Sequence, residues 1–315
     1  MSAEFDLIAR IRERVAVRSD VVLGIGDDAA LLAVPAGMQL VVAMDTLNAG
    51  VHFPAETAPA DIGWKSLAVN LSDLTAMGAR PAWCTLSLSL PEGEAAWVDG
   101  FLDGFLALAA RHDVALVGGD TTRGPLSVCV TAHGFVEPGK ALRRDGARVG
   151  DDVWVTGTLG DAAAALAQWR KGTAIDETLR VRLDRPEPRV AAGLALSGLA
   201  HACIDVSDGL LSDLGHICEA SGVGADVEID ALPASPALRS TFDVATRRVL
   251  QASGGDDYEL CFTAAVDVRD AIEDAVHRDD LVATRIGRIV EARRVSAFDM
   301  QGQAWVPEKT GYAHF

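Results

Sequence analysis

Several large protein classes are excluded by what this chain lacks. Its five cysteines, Cys84, Cys129, Cys203, Cys218 and Cys261, are scattered, odd in number and never spaced as C-x-x-C. That excludes a zinc ribbon and a disulfide framework, and leaves small, reduced, interior thiols as the expectation. The seven histidines are equally dispersed and none belongs to an H-E-x-x-H sequence, so zinc-protease chemistry is out. Basic residues are outnumbered, 28 Lys and Arg against 45 Asp and Glu, for a net charge of −17. This balance disfavours nucleic acid or an anionic membrane as a partner, since both require clustered positive charge. No apolar run approaches the roughly 18 residues of a membrane span. The start, Met-Ser-Ala-Glu-Phe-Asp, lacks the basic and apolar regions of a signal peptide, and a cytoplasmic location is expected. The phosphate loop G-x-x-x-x-G-K-[ST] is missing, as is the paired H-R-D and D-F-G set of protein kinases. Aromatic residues make up only 5%, so Ala, Val and Leu must build most of the interior.

What is present describes a mixed α/β protein. A length of 315 residues suits two domains, and 49% hydrophobic with 23% charged residues is the composition of a folded globular chain. Short Val- and Leu-rich runs alternate with longer amphipathic stretches. They predict strands at 21–25, 39–44, 85–90, 114–117, 126–136, 153–156, 202–206, 225–229, 258–263 and 284–290. Thr85-Leu-Ser-Leu-Ser-Leu90 alternates strictly, which implies one buried face and one facing solvent or a partner. Helices are predicted over 61–77, with Leu67, Leu71 and Leu74 on one stripe, and over 94–111, with Trp97, Phe101, Phe105 and Leu108. On the first of these, Ser66, Asn70 and Asp73 form a polar stripe beside the apolar one. The Gly-, Pro- and charge-rich segment 136–152 marks a boundary between domains at 1–138 and 149–315.

The aspartates are the most informative feature. Asp27 and Asp28 follow Val-Val-Leu-Gly-Ile-Gly, Asp45 follows Val-Val-Ala-Met, Asp120 follows Ala-Leu-Val-Gly-Gly, and Asp205 and Asp208 follow Ala-Cys-Ile. Each terminates a predicted buried strand, and ligands of α/β folds collect at strand carboxyl ends. Any one such Asp is adequately explained as a turn or cap residue. Four such ends, with Asp73 on a nearby polar stripe, favour a cluster of carboxylates around hard cations such as Mg²⁺. Gly24-Ile-Gly-Asp-Asp-Ala29 also matches the dinucleotide fingerprint. It is followed by Ala-Leu-Leu-Ala-Val-Pro-Ala-Gly, a strand and turn rather than the helix N-terminus that a pyrophosphate requires. Gly118-Gly119-Asp120, Ser207-Asp208-Gly209 and Ser253-Gly-Gly-Asp-Asp257 are either tight turns or places of close backbone approach to phosphate. Arg143-Arg144-Asp-Gly-Ala-Arg148 is a conspicuous basic run in an acidic chain.

These motifs also occur in a characteristic order: G-I-G-D-D-A-A at 24–30, D-T-L at 45–47, G-V-H-F at 50–53, G-W-K through N-L-S-D at 63–73, and G-G-D-T at 118–121. R-D-G-A at 144–147, D-V-S-D-G-L at 205–210, G-G-D-D-Y-E-L at 254–260 and the terminal G-Y-A-H-F complete the series. The set resembles the thiamine-monophosphate kinases of the aminoimidazole-ribonucleotide synthetase superfamily along nearly the whole chain. The resemblance implies an α/β (α+β) fold of two domains, with N-terminal sheets pairing across a homodimer and active sites between domains. The implied reaction transfers the γ-phosphoryl group of ATP to thiamine monophosphate, with several Mg²⁺ ions. Asp28, Asp45, Asp73, Asp120, Asp205 and Asp208 match the family's metal-binding acids. Gly119, Asp120, Arg144 and Ser207 match positions that hold ATP. His52, Asp256 and Tyr312 match positions near the thiamine phosphate. The chain departs from the family at Met44, where Thr or Ser is usual, and at Asp256, where Glu is usual. It also has Leu102 at a place that can be aromatic near the adenine. Other ATP-using members of the superfamily, of purine-pathway or selenophosphate-synthetase type, remain open. So does a noncatalytic acidic metal-binding module, although no D-x-[DN]-x-[DN]-G calcium loop is present.

Overall fold

The computed structural model describes residues 3–16, 18–277 and 282–312. The last three residues of the terminal G-Y-A-H-F motif lie outside the described residues. The chain forms two compact units: Met1–Leu74 with Ala79–Gly139, and Thr75–Gly78 with Lys140–Phe315. Among the described residues no helix is long and apolar enough to cross a membrane.

In chain order the first unit contains α1 (Ala3–Arg14), β1 (Val21–Leu23), β2 (Leu31–Leu32), β3 (Gln39–Asn48) and α2 (Pro59–Ala76), then β4 (Arg80–Leu90), α3 (Ala95–Arg111), β5 (Ala115–Arg123) and β6 (Ser127–Val136). Its four-stranded sheet has the order β3-β6-β4-β5, with only β4 and β5 parallel. Leu86, Leu88, Leu90, Val128, Val130 and Ala132 fill the buried face. The opposite face carries Ser87 in solvent and Thr85 and Ser89 half-buried, so the alternation in sequence is the alternation of the pleat. The β1–β2 ribbon brings Val21 and Leu32 onto Trp83, Val117 and Phe135. On the edge strand β3, Leu40, Val42 and Met44 remain 45–64% exposed. Helices α2 and α3 cross in backbone contact because Gly104 has no side chain: a Cβ there would lie 1.7 Å from the Ala60 carbonyl. The Leu67–Leu71–Leu74 stripe is fully buried, as are Phe101, Phe105 and Leu108 on α3. Leu102 is equally buried.

The second unit contains β7 (Asp152–Thr156), α4 (Asp161–Arg170), α5 (Glu177–Asp184), α6 (Val190–Leu196), β8 (Ala202–Asp205), α7 (Leu210–Ser221), β9 (Gly224–Glu228), α8 (Pro236–Thr241), α9 (Val244–Ser253), β10 (Leu260–Ala264), α10 (Arg269–His277), β11 (Ala283–Val290), β12 (Val295–Phe298) and β13 (Ala304–Trp305). Seven strands form one sheet in the order β13-β12-β9-β11-β7-β10-β8, antiparallel except for β9 with β12. Alternate residues feed two cores. Val153, Val155, Ile204 and Cys261 join Leu210, Leu214 and Ile217 of α7, whereas Trp154, Cys203 and Phe262 join Leu196, Ile272 and Val276. Burial on both sides explains why these strands read as continuous apolar runs.

Two strands correct the expectation that each acid ends a strand. β3 continues three residues past Asp45 and β5 three residues past Asp120. In β5 the buried run stops at Val117 while the hydrogen-bonded ladder goes on into solvent, so the change in polarity marked loss of burial rather than loss of pairing. Asp205 does end β8. The G-I-G-D-D turn leads into β2, with no helix at its end.

Candidate active site

In the first unit, α1, the 24–30 turn and the start of β5 line a cleft of about 1320 Å³. Asp27, Asp28, Gly119 and Asp120 all border it. Asp27 Oδ1 accepts the Asp28 N–H at 2.9 Å, which folds the turn on itself and leaves both carboxylates exposed. Gly119 is obligatory in a geometric sense: its φ is +151°, and a Cβ would stand 1.8 Å from the Leu86 carbonyl. The strand therefore presents bare backbone beside Asp120. Arg12, which the sequence reading passed over, lies with its guanidinium against Gly26 and brings positive charge to this acidic cleft.

The polar stripe of α2 faces β3. The Asp45 N–H donates to Asn70 Oδ1 at 3.0 Å, and Asn70 Nδ2 donates to the Ser66 carbonyl at 3.0 Å. Asn70 and Ser66 are buried, while Asp73, one turn further along, is half-buried. Met44, next to Asp45, is 64% exposed and points to the other face of the strand. His52 follows β3 in a turn where its Nδ1 accepts the Asn48 N–H at 3.0 Å. That bond places the proton of neutral His52 on Nε2, which becomes a donor. The buried Lys65 ammonium donates to the His52 carbonyl at 3.1 Å and holds the turn from below.

The second unit gathers Asp205, Ser207, Asp208, Asp256 and Tyr312 around the end of β8. The Asp256 N–H donates to the Ser207 carbonyl at 2.9 Å, and the Tyr312 N–H to the Asp208 carbonyl at 2.9 Å. The three successive N–H groups of Ser207, Asp208 and Gly209 all donate to one oxygen of Asp213, each at 3.1 Å. Asp213 lies on the first turn of α7 and is buried. Burial, and then the neighbouring Asp205 and Asp208, push its carboxyl up to about 7. Asp256 has φ +67° and Tyr258 φ +50°, and the Tyr258 hydroxyl donates to Asp256 Oδ1 at 3.0 Å. The side chain of Tyr312 is 47% exposed.

Behind this turn lies an ion-pair hub absent from the sequence reading. Glu259, fully buried, accepts from Thr156 Oγ1 at 2.7 Å, from Arg182 at 2.6 Å and from Arg189 Nε at 2.7 Å. Burial opposes its charge, but Arg189 and Arg182 overcome that and hold the carboxyl below its ordinary value. Asp257 beside it accepts the Gly160 N–H through both oxygens at 2.9 Å. Arg144 is exposed on a turn packed along β8. The cysteines are free and buried except for half-buried Cys129, and burial pushes the Cys84 and Cys203 thiols well up.

Among the described residues, no group of three His, Cys, Asp or Glu side chains is arranged to hold a metal ion by itself. Within each unit the acids singled out from the sequence stand singly or in adjacent pairs. Such a set still fits Mg²⁺, which keeps several waters and binds through one or two carboxylates together with substrate phosphates. The donor chemistry, all oxygen, agrees.

Residues 26–136 match the family AIR synthase related protein, N-terminal domain, and residues 148–300 match its C-terminal domain. The chain belongs to the AIR synthase related family. Among its relatives are thiamine-monophosphate kinases that match along nearly the whole chain. It is 47% identical over 318 residues to the thiamine-monophosphate kinase of Salmonella typhimurium, covering 99% of this chain and 98% of that protein. The crystal structure of thiamine-monophosphate kinase from Stenotrophomonas maltophilia K279a superposes with a TM-score of 0.87 at 58% identity, covering 96% of each chain. A structure of AaThiL complexed with AMPPCP and TMP superposes with a TM-score of 0.78 at 30% identity, covering 99% of this chain and 96% of that one. The chain is a member of the thiamine-monophosphate kinases.

Proposed function

We propose that the chain transfers the γ-phosphoryl group of ATP to the phosphate of thiamine monophosphate, giving thiamine diphosphate and ADP. The observation that carries this reading is similarity along the full length to thiamine-monophosphate kinases. A structural relative that binds AMPPCP and TMP supports it. Gly119, Asp120, Arg144 and Ser207 contact ATP. His52, Asp256 and Tyr312 contact thiamine monophosphate. Asp28, Asp45, Asp73, Asp120, Asp205 and Asp208 hold several Mg²⁺ ions, which when bound neutralise the charge of the phosphates.

The chain's own residues position and orient. Phosphoryl transfer needs little covalent help from a protein, so no side chain serves as nucleophile. The acceptor is a phosphate whose second ionisation lies near pH 6, so it arrives already ionised and needs no base. His52 offers its Nε2–H to an anionic substrate without carrying a full charge. Gly119 lets a phosphate approach bare backbone, and Asp213 fixes the Ser207–Gly209 turn before substrate arrives, which lowers the ordering cost at binding.

The exposed Leu40, Val42 and Met44 of edge strand β3, continuous with the open Thr and Ser face of the sheet, are assigned to a second copy of this chain. A homodimer covers an edge that would otherwise invite indiscriminate strand pairing. The double substitution Val42→Glu with Met44→Glu should yield monomers in sedimentation; an unchanged dimer would move the interface elsewhere. A reducing, cytoplasmic setting suits the free thiols. The test of the activity is product analysis with ATP, Mg²⁺ and thiamine monophosphate. Thiamine diphosphate and ADP in equal amounts are expected. ATP hydrolysis without transfer, or transfer only to a different acceptor, would overturn the reading.

A further inference from the structure

Ser221, the last residue of α7, spends its hydroxyl entirely on the turn that carries Arg144. Its Oγ donates to the Arg144 carbonyl at 2.8 Å and accepts the Ala147 N–H at 3.1 Å. The other side of the turn is fixed by β8. The Cys203 N–H donates to the Arg143 carbonyl at 2.9 Å, and Gly146 lies so near the His201 carbonyl that a Cβ would come within 1.9 Å. Downstream, Asp151 accepts the Arg148 N–H at 2.9 Å and pairs with His201 Nδ1 at 2.9 Å. Of the two adjacent arginines, Arg143 is engaged by Asp145 within the turn, while Arg144 is exposed.

The hydroxyl is not needed to end the helix. Gly222, in the left-handed conformation at φ +69°, already closes α7 with its N–H directed at the Cys218 and Glu219 carbonyls. Nor does Ser221 fill a core, being only half-buried. Its two hydrogen bonds tie together positions 74 and 77 residues away in sequence, and what they constrain is the path of the backbone from 144 to 147. The opposite end of the same helix carries Asp213, which organises the Ser207–Gly209 turn. One rigid element thus sets both segments.

We propose that Ser221 is a positioning residue for ATP, holding the turn from which Arg144 reaches the nucleotide. This rests on the reading of Arg144 as an ATP contact. An arginine side chain amplifies small backbone shifts at its far end, so a loosened turn weakens the phosphate contact without touching the acceptor site.

The test is steady-state kinetics of the full-length enzyme with each substrate varied in turn, for Ser221→Ala, Ser221→Thr, Arg144→Ala and the double variant Ser221→Ala with Arg144→Ala. Ser221→Ala should raise the KM for ATP by a factor of roughly 3–10, leaving kcat and the KM for thiamine monophosphate near those of the parent. Ser221→Thr, which keeps the hydroxyl, should restore it. The double variant should be no worse than Arg144→Ala, since both changes remove one contact. If Arg144→Ala raises the KM for ATP and Ser221→Ala does not, the positioning role is wrong while the reading of Arg144 stands. If Ser221→Ala impairs both substrates alike, lowers Tm and is not rescued by Thr, the residue is structural. If Arg144→Ala itself leaves ATP saturation unchanged, the reading of Arg144 fails and the proposal falls with it.

Discussion

The two units handle negative charge in opposite ways. In the first, Asp27, Asp28 and Asp120 stand exposed and Asp45 and Asp73 half-buried, their surroundings shaped chiefly by backbone turns and strand pairing. In the second, Asp213, Asp257 and Glu259 are buried and meet built-in donors: three N–H groups at Asp213, one at Asp257, two arginines at Glu259. A carboxylate in water costs nothing to keep charged and exchanges cations freely. A buried one must be matched group by group, or it protonates. The first unit therefore presents charge, whereas in the second only Glu259 keeps its charge through its arginines, while Asp213 and Asp257, pushed up by burial, fix turns by accepting backbone N–H groups.

The largest expected effect breaks the second arrangement. Glu259→Gln leaves Arg182 and Arg189 without their anion in a buried place, which should cost about 3–5 kcal/mol of stability. The sign with pH follows from its lowered folded value. Its contribution is complete above the unfolded carboxyl range near about 4.3 and is lost as pH falls through the folded value. The parent should thus lose stability steeply in acid, while the variant, already weakened at neutral pH, should show a flatter acid limb. Denaturant titrations at several pH values measure both. Parallel acid limbs would mean that Glu259 is not the group that matters.

Asp73→Asn attacks the first arrangement and should behave in the reverse manner. Folding should survive, because Asp73 is half-buried and its stripe is held by Asn70. On the proposed reading turnover should fall roughly 100-fold or more, about 2.7 kcal/mol in the barrier, since the metal set would lose one carboxylate oxygen. Near-normal turnover with an unchanged Tm would remove Asp73 from the metal set. Both outcomes are read from the same preparation.

Legibility in the sequence divides along the same line. The α2 and α3 stripes, the alternation of β4 and the turn chemistry of G-I-G-D-D are local patterns, and the structure repeats them with ends shifted by a few residues and with Trp97 only half-buried. The acids and glycines that define candidate positions were visible because they interrupt apolar runs. Asp45 and Asp120 were mistaken for strand ends because sequence records burial, not the ladder. The Glu259 hub was invisible because its partners lie 70, 77 and 103 residues away. Asp213 and Ser221 carry no local signal, and only the folded helix shows that both reach back to loops.

Tyr312→Ala sharpens the comparison at the substrate end. Its backbone N–H docks on the Asp208 carbonyl while its ring stays half in solvent, an arrangement suited to covering a heteroaromatic ligand. The KM for thiamine monophosphate should rise roughly tenfold, about 1.4 kcal/mol, with ATP saturation unchanged. Equal impairment toward both substrates with a lowered Tm would make Tyr312 an anchor of the tail instead.

The smallest effect is expected at Asp256→Glu, where two influences oppose one another. The family resemblance implies Glu at this position, and on the proposed reading its extra methylene would extend the carboxylate toward the ligand. Against this, position 256 has φ +67°, a left-handed conformation that Asp adopts far more readily than Glu. The longer side chain would also displace the carboxylate from the Tyr258 hydroxyl, now 3.0 Å away. Loss of that hydrogen bond is worth about 0.5–1.5 kcal/mol. The backbone cannot relax easily, because the Asp256 N–H is tied to the Ser207 carbonyl and the Tyr258 N–H to the Val206 carbonyl. Gain in reach and loss in fit should nearly cancel in binding, so the KM for thiamine monophosphate should change by less than roughly threefold, about 0.7 kcal/mol, with a small drop in Tm. Tyr258→Phe separates the two influences. It frees Asp256 without altering its length, so combining it with Asp256→Glu should produce little further loss of stability. A large improvement in the thiamine-monophosphate KM from Asp256→Glu alone would show that reach dominates and that the Tyr258 contact contributes nothing to the pocket. A large loss would show that the turn in this chain is built for the shorter acid.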